Sequence, residues 1–190
     1  MYLFFDTETT GVPRNYKAPA ADFKNWPRLV QIAWLVTDAE GMEIASAEHI
    51  VKPAGYTIPP AAAKIHGITT EVALQKGLVI RTVLEPLVQA IDQASALIAH
   101  NMQFDEKILG AELLRAGYKN SVEAKQRKCT MLSSKDYCRI PGPYGNKWPT
   151  LQELYAKLFH EDFTGAHRAL ADVRACAKCY FELRRLKVMV

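Results

Sequence analysis

Asp6 and Glu8 lie two residues apart at the end of an aromatic, apolar run, Phe4-Phe5-Asp6-Thr7-Glu8-Thr9-Thr10-Gly11. Strand residues two apart share a face, so both carboxylates point the same way and repel unless a cation sits between them. At the end of a central strand, where ligands gather in α/β sheets, that predicts a divalent metal. An isolated pair of this kind more often marks a solvated loop entry. A second segment, His100-Asn101-Met102-Gln103-Phe104-Asp105, follows a buried strand and opens a helix, and its Asp105 falls in a first turn that the helix dipole favours for acids. A third, His167-Arg168-Ala169-Leu170-Ala171-Asp172, is expected inside the C-terminal helix. Asp is a poor interior helix residue, and beside Ala169, Val173 and Cys176 a buried carboxylate needs a partner or a metal. His167 lies about one and a half turns below Asp172, near the helix start, and reaches the same centre from the side. Its plain alternative is a surface histidine. Together Asp6, Glu8, Asp105 and Asp172 offer hard oxygen ligands, and His167 offers a base that titrates near neutrality. The set suits two Mg²⁺ or Mn²⁺ ions about 4 Å apart clamping an in-line phosphoryl displacement.

These residues need a scaffold. Tyr2 to Thr7 reads as a short strand, closed by the Thr9-Thr10-Gly11-Val12-Pro13 break. Leu29 to Thr37 is apolar on both faces and predicts a central strand. After the turn Asp38-Ala39-Glu40-Gly41, a third strand over about Met42 to Lys52 should pair antiparallel by hairpin. Then the period changes. Pro59 to Gly67 has Pro at its start and Gly at its end, as a short helix should. Thr70 to Lys76 and Arg81 to Gln93 follow as helices, Ala96 to Ala99 as a buried strand, and Phe104 to Ala116 as a helix capped by Gly117. Thr150 to Leu158 and Ala166 to about Leu186 complete the helices. The order predicts an α/β mixed sheet flanked by helices.

Length and composition agree. A chain of 190 residues, 49% apolar and 23% charged, is expected to form one domain over residues 1–190 with a real core. The net charge of +4 permits a polyanionic partner without demanding one. No run is long enough to span a membrane, so no membrane partner is expected. The start Met1-Tyr2-Leu3-Phe4 carries no basic leader, and four cysteines are too few for a dense disulfide framework, so a cytoplasmic setting is expected.

On its three acidic segments the sequence resembles the DEDD superfamily of 3′→5′ exonucleases, in the DEDDh (DnaQ-like) branch that includes the DNA polymerase III epsilon exonuclease domain. Phe5-Asp6-Thr7-Glu8-Thr9-Thr10-Gly11 looks like the first motif, His100-Asn101-x-x-Phe104-Asp105 like the second, and His167-x4-Asp172 like the third. The sister branch has tyrosine four residues before the last Asp, where this chain has Arg168. The resemblance implies an RNase H-like fold with a five-stranded mixed sheet. It implies that Asp6 bridges two divalent cations, Mg²⁺ or Mn²⁺, that Glu8 and Asp172 hold the first, and that Asp105 holds the second largely through water. It implies His167 as general base, a nucleic acid with a free 3′ end as partner, and nucleoside 5′-monophosphates as product. Thr7, Thr9 and Thr10 would meet the terminal sugar. Ile65 and Phe104 are candidates for contacts to the last base, with His66, His100 and Asn101 beside them.

Two enzyme readings stay open on the motifs: a DNA exonuclease in proofreading or repair, and an RNA-trimming exonuclease of the oligoribonuclease or RNase T type. A third reading is an inactive binding domain. Proofreading relatives often carry a further C-terminal segment that binds the polymerase, and the short stretch after the third motif leaves a stable polymerase partner open. Residues 107 to 147 hold nine Lys and Arg against three acids, a local excess of +6 that could track a phosphate backbone. The four cysteines read as core thiols, since their spacing is unlike a zinc site.

Overall fold

The computed structural model describes residues 1–163 and 168–189. The chain runs β1 (Tyr2–Thr9), β2 (Leu29–Thr37), β3 (Glu43–Ile50), α1 (Pro60–His66), α2 (Thr70–Lys76), α3 (Ile80–Gln93), β4 (Ala96–Ala99) and α4 (Met102–Arg115). A 3-10 turn at Ser121–Ala124 leads into β5 (Gln126–Cys129), α5 (Thr130–Ser133) and α6 (Lys135–Cys138). A small hairpin, β6 (Pro141–Gly142) and β7 (Gly145–Asn146), precedes α7 (Leu151–Phe159) and α8 (Ala169–Arg185).

The five-stranded sheet has the order β3-β2-β1-β4-β5. β1 pairs antiparallel with β2 and parallel with β4, so the acidic strand is the central one. The parallel run β1, β4, β5 brings the carboxyl ends of three strands to one edge. Along β1, alternate residues serve opposite layers. Leu3 and Phe5 pack with α3 and α4, through Val83, Leu84, Leu87, Ile108 and Leu109. Phe4 packs with α7 and α8, through Leu154, Val173, Cys176 and Tyr180. The same alternation carries Asp6 and Glu8 onto the α8 side and Thr7 onto the α4 side.

The helices start and stop for local reasons. α1 has Pro at its first position, and its end is closed by Gly67 at φ 76°, whose N–H reaches the Ala63 carbonyl. α7 has a full capping box: Thr150 accepts from the Glu153 N–H while Glu153 accepts from the Thr150 N–H. α8 lacks a side-chain cap of its own. Instead Glu48 of β3 accepts the Leu170 N–H at 3.0 Å, satisfying one of the first-turn donors from across the sheet. α8 therefore begins at Ala169 rather than Ala166, and Asp172 falls in its first turn. Asp172 is thus not the misfit interior residue expected from the sequence: the helix dipole favours a carboxylate at this position. The predicted helix over Phe104 to Ala116 begins two residues earlier, at Met102, with Asn101 ahead of it in the left-handed region at φ 87°. Among the described residues no helix is long and apolar enough to cross a membrane.

Candidate active site

β1 leaves the sheet at Glu8 and Thr9, where its register with β2 shifts by a bulge. Bulges of this kind re-aim side chains and cluster beside active sites. The chain after the bulge is fastened: the Thr10 N–H donates to the Arg28 carbonyl at 2.9 Å, and the Arg28 N–H donates to Thr10 Oγ1 at 3.0 Å. Arg28 is held by Glu112 of α4, with Nε 2.7 Å from Oε1, and Glu112 also takes Arg115 at 2.8 Å and the Leu29 N–H at 3.2 Å. Glu112 is buried, so two guanidiniums and a backbone N–H supply the partners that a buried carboxylate requires. This clamp was missed in the sequence. Its one signal was an acid set among the apolar residues of α4.

The acids gather around the end of β1. Asp105, in the first turn of α4, is buried, and its Oδ1 accepts both the Thr7 hydroxyl at 2.6 Å and the Thr7 N–H at 3.1 Å. Asp6 and Glu8 are half-buried, as is Asp172. Burial drives the Asp6 pKa well above the usual carboxylate range, and Asp105, Glu8 and Asp172 push it further. Burial and the neighbouring Asp172 push Glu8 up to about 7. Asp105 is pushed up to about 7 by burial, against the two Thr7 hydrogen bonds that favour its charge. These acids thus feel one another's charge, as a metal-holding set must. Among the described residues, no three His, Cys, Asp or Glu side chains are already drawn together as a closed metal cage. The donor chemistry nonetheless fits hard divalent cations: oxygens only, mutually repelling, and raised in pKa by burial and by one another. His167 lies outside the described residues.

The remaining predicted residues fall around this edge. Thr9 Oγ1 donates to the Gly11 carbonyl at 2.6 Å and shapes the loop after Glu8. Ile65, at the end of α1, is 68% exposed. His66 Nδ1 accepts the Ile68 N–H at 3.2 Å, which leaves its proton on Nε2. That buried Nε2 has no hydrogen-bond partner among the described residues. Burial lowers the His66 pKa, with the nearby Thr9 backbone opposing. Phe104 is half-buried against the α3–α4 core, and its ring lies 6.4 Å from that of Tyr16. Asn101 forms the left-handed step into α4. His100 is committed within the protein: Nε2 donates to the Pro149 carbonyl at 3.0 Å, and Nδ1 accepts from the Thr130 hydroxyl at 2.9 Å. Burial lowers its pKa to about 4.

Much of the basic excess has internal work. Lys107 pairs with Glu123, Arg115 with Glu112, Arg127 with Glu106 and Lys147 with Glu153. Lys125 donates to the carbonyls of Asp92 and Ala94. The cysteines are free thiols, three of them buried.

The strand order, with a central acidic strand and helices on both faces, defines an RNase H-like α/β protein. Solved structures with this fold include exonuclease I, at a TM-score of 0.77 and 24% identity over 98% of this chain. They also include Escherichia coli exonuclease I in complex with a dA16 oligonucleotide (TM-score 0.76, 23% identity) and the Methylocaldum szegediense exonuclease I (TM-score 0.73, 24% identity). The chain spans 42% of the length of the first two and 40% of the third. The exonuclease (RNase T) family model matches residues 3–180, and the chain belongs to that family. A relative in sequence is the DNA polymerase III subunit epsilon of Treponema pallidum (strain Nichols), 29% identical over 182 residues, covering 94% of this chain and 74% of the relative.

Proposed function

We propose that this protein is a metal-dependent 3′→5′ exonuclease that releases nucleoside 5′-monophosphates from the 3′ ends of single-stranded or frayed DNA. The observation that carries the reading is the mutual charge of Asp6, Glu8, Asp105 and Asp172 around the end of the central strand, in a chain of the exonuclease family. Held by these four acids, two Mg²⁺ or Mn²⁺ ions would acidify a water and neutralise charge on the phosphodiester. Asp6, which feels the charge of the other three acids, would be among the ligands, and Thr7 holds Asp105 through two hydrogen bonds. His167 takes the proton from the attacking water as general base. The Arg28–Glu112 clamp fixes the Thr9–Thr10 loop, so the backbone that meets the terminal sugar is positioned before substrate arrives. DNA is favoured over RNA as substrate by the epsilon relative and by the oligonucleotide-bound exonuclease I.

The test is digestion of end-labelled single-stranded DNA, duplex DNA and RNA with Mg²⁺ or Mn²⁺, with and without a blocked 3′ terminus. Mononucleotides should leave the free 3′ end first. Equal degradation of blocked ends, or cutting of circular single strands, would refute the exonuclease reading. Faster loss of RNA would move the assignment to the RNA-trimming class.

A further inference from the structure

Three tryptophans occur in the chain, and two are core residues: Trp26 is 3% exposed and Trp34 8%. Trp148 is 56% exposed, and Tyr144, four residues earlier, is fully exposed. Neither exposure comes from a loose segment. Pro141 pairs with Asn146 and Gly142 with Gly145, leaving Pro143-Tyr144 as the two-residue tip of a hairpin. Gly145 sits at φ 101°, which favours glycine, and a Cβ on Gly142 would press within 3.0 Å of the Gly145 carbonyl oxygen. The hairpin is tied at its base by the Lys147 N–H donating to the Ile140 carbonyl at 2.9 Å, and Ile140 packs on the α7–α8 core. The fold therefore presents a bare phenol on a stiff turn, with a bare indole beside its base.

The charge around them is positive. Lys135 Nζ lies 5.7 Å from the centre of the Trp148 ring, and Arg139 is exposed. Among the described residues neither cation has a carboxylate partner, while Lys147 is matched by Glu153. Position matters as well. Pro149, next to Trp148, accepts from His100, which follows β4 at the same sheet edge as the acids. The segment that carries Trp148 is thus tied to the sheet edge at which the acids lie.

We infer that Tyr144 and Trp148, with Lys135 and Arg139, form a stacking platform for the bases of a single-stranded polynucleotide upstream of its 3′ end. Exposed rings flanked by cations bind single strands with little sequence preference, because every base offers a π-face. The inference rests on the exonuclease reading for the direction of the strand, and it has its own test.

In chelator, where cleavage is off, an oligo-dT strand of about twelve nucleotides should quench the exposed indole. Trp148→Phe should abolish the quench while retaining binding by fluorescence anisotropy of a labelled strand. In turnover, Tyr144→Ser and Trp148→Ala should lower kcat/KM on that strand roughly tenfold or more beyond any effect on a dinucleotide. Tyr144 buries nothing, so Tyr144→Ser remains decisive if Trp148→Ala unfolds. Absence of quenching in the folded protein, or equal losses on long strand and dinucleotide, would overturn the platform. Quenching and Tyr144-dependent binding without any digestion would leave the platform standing and refute the enzyme assignment.

Discussion

Thr7 decides how Asp105 behaves, because its hydroxyl and N–H both hold the same carboxylate oxygen. A hydrogen bond to a charged group contributes about 1.5–3 kcal/mol. Thr7→Val removes the shorter donor and keeps the side-chain shape, so the Asp105 pKa should rise further above about 7. The acidic limb of the pH–rate profile should then move to higher pH, and Thr7→Ser should restore it. A profile that stays in place in Thr7→Val would detach Thr7 from the ionisation of the site. Asp6 and His167 divide differently. Asp6→Ala removes the acid that all the others repel, so metal binding and turnover should collapse together. His167→Ala should leave metal affinity, measured by titration calorimetry, near that of the parent and lower kcat on the order of 10²–10⁴-fold. Loss of metal affinity in His167→Ala would make His167 a ligand or an anchor. The acids were legible only as a set: each segment alone has a plain reading, and it is their order and spacing together that match the family's motifs. The Arg28–Glu112 clamp was not, because its partners are 84 residues apart and each alone reads as a surface charge.

At the scale of elements, His100 joins the end of β4 to the segment entering α7, through Thr130 on one ring nitrogen and Pro149 on the other. Burial keeps the ring neutral, with Nδ1 free to accept from Thr130, while the Nε2–H bond to Pro149 opposes that shift. The unfolded histidine titrates near its ordinary 6.5 and the folded one near 4, so the stability it lends is present above 6.5 and is lost as pH falls through 4. His100→Ala should therefore cost about 1–3 kcal/mol at neutral pH in urea melts, with the difference from wild type shrinking on acidification. A difference that is constant with pH would exclude this pin as its source. β1, β2, α2 and β4 follow from hydrophobic pattern and turn chemistry alone. β5 does not: Gln126-Arg127-Lys128-Cys129 is polar, short and at the sheet edge, where charge guards against pairing with other chains. The β6–β7 hairpin escaped for a related reason, since its residues are nearly all exposed and bury no apolar stripe to read.

For the whole molecule, the acids and His100 pull stability in opposite directions with pH. Carboxyls whose folded pKa is raised stabilise the fold while protonated, and that contribution is lost as pH rises through the folded value. For Glu8 the window runs from 4.5 to about 7, and for Asp105 from 3.8 to about 7. His100 acts the other way between 6.5 and 4. A melting curve in chelator mixes both slopes, so its pH dependence alone identifies neither. Comparing chelator with Mg²⁺ or Mn²⁺ at each pH removes the histidine contribution, which is common to both. Protons compete with the cation for the same oxygens, so the metal-induced rise in Tm should be small near the ordinary carboxylate pKa and grow as pH passes about 7. With cation at about a hundred times its Kd the gain is about 2.7 kcal/mol, or roughly 5–10 °C for a chain of this length. The gain should vanish in Asp6→Ala. A rise that is the same at every pH, or that survives Asp6→Ala, would place the cation elsewhere on the protein and leave the four acids as a cluster without a metal.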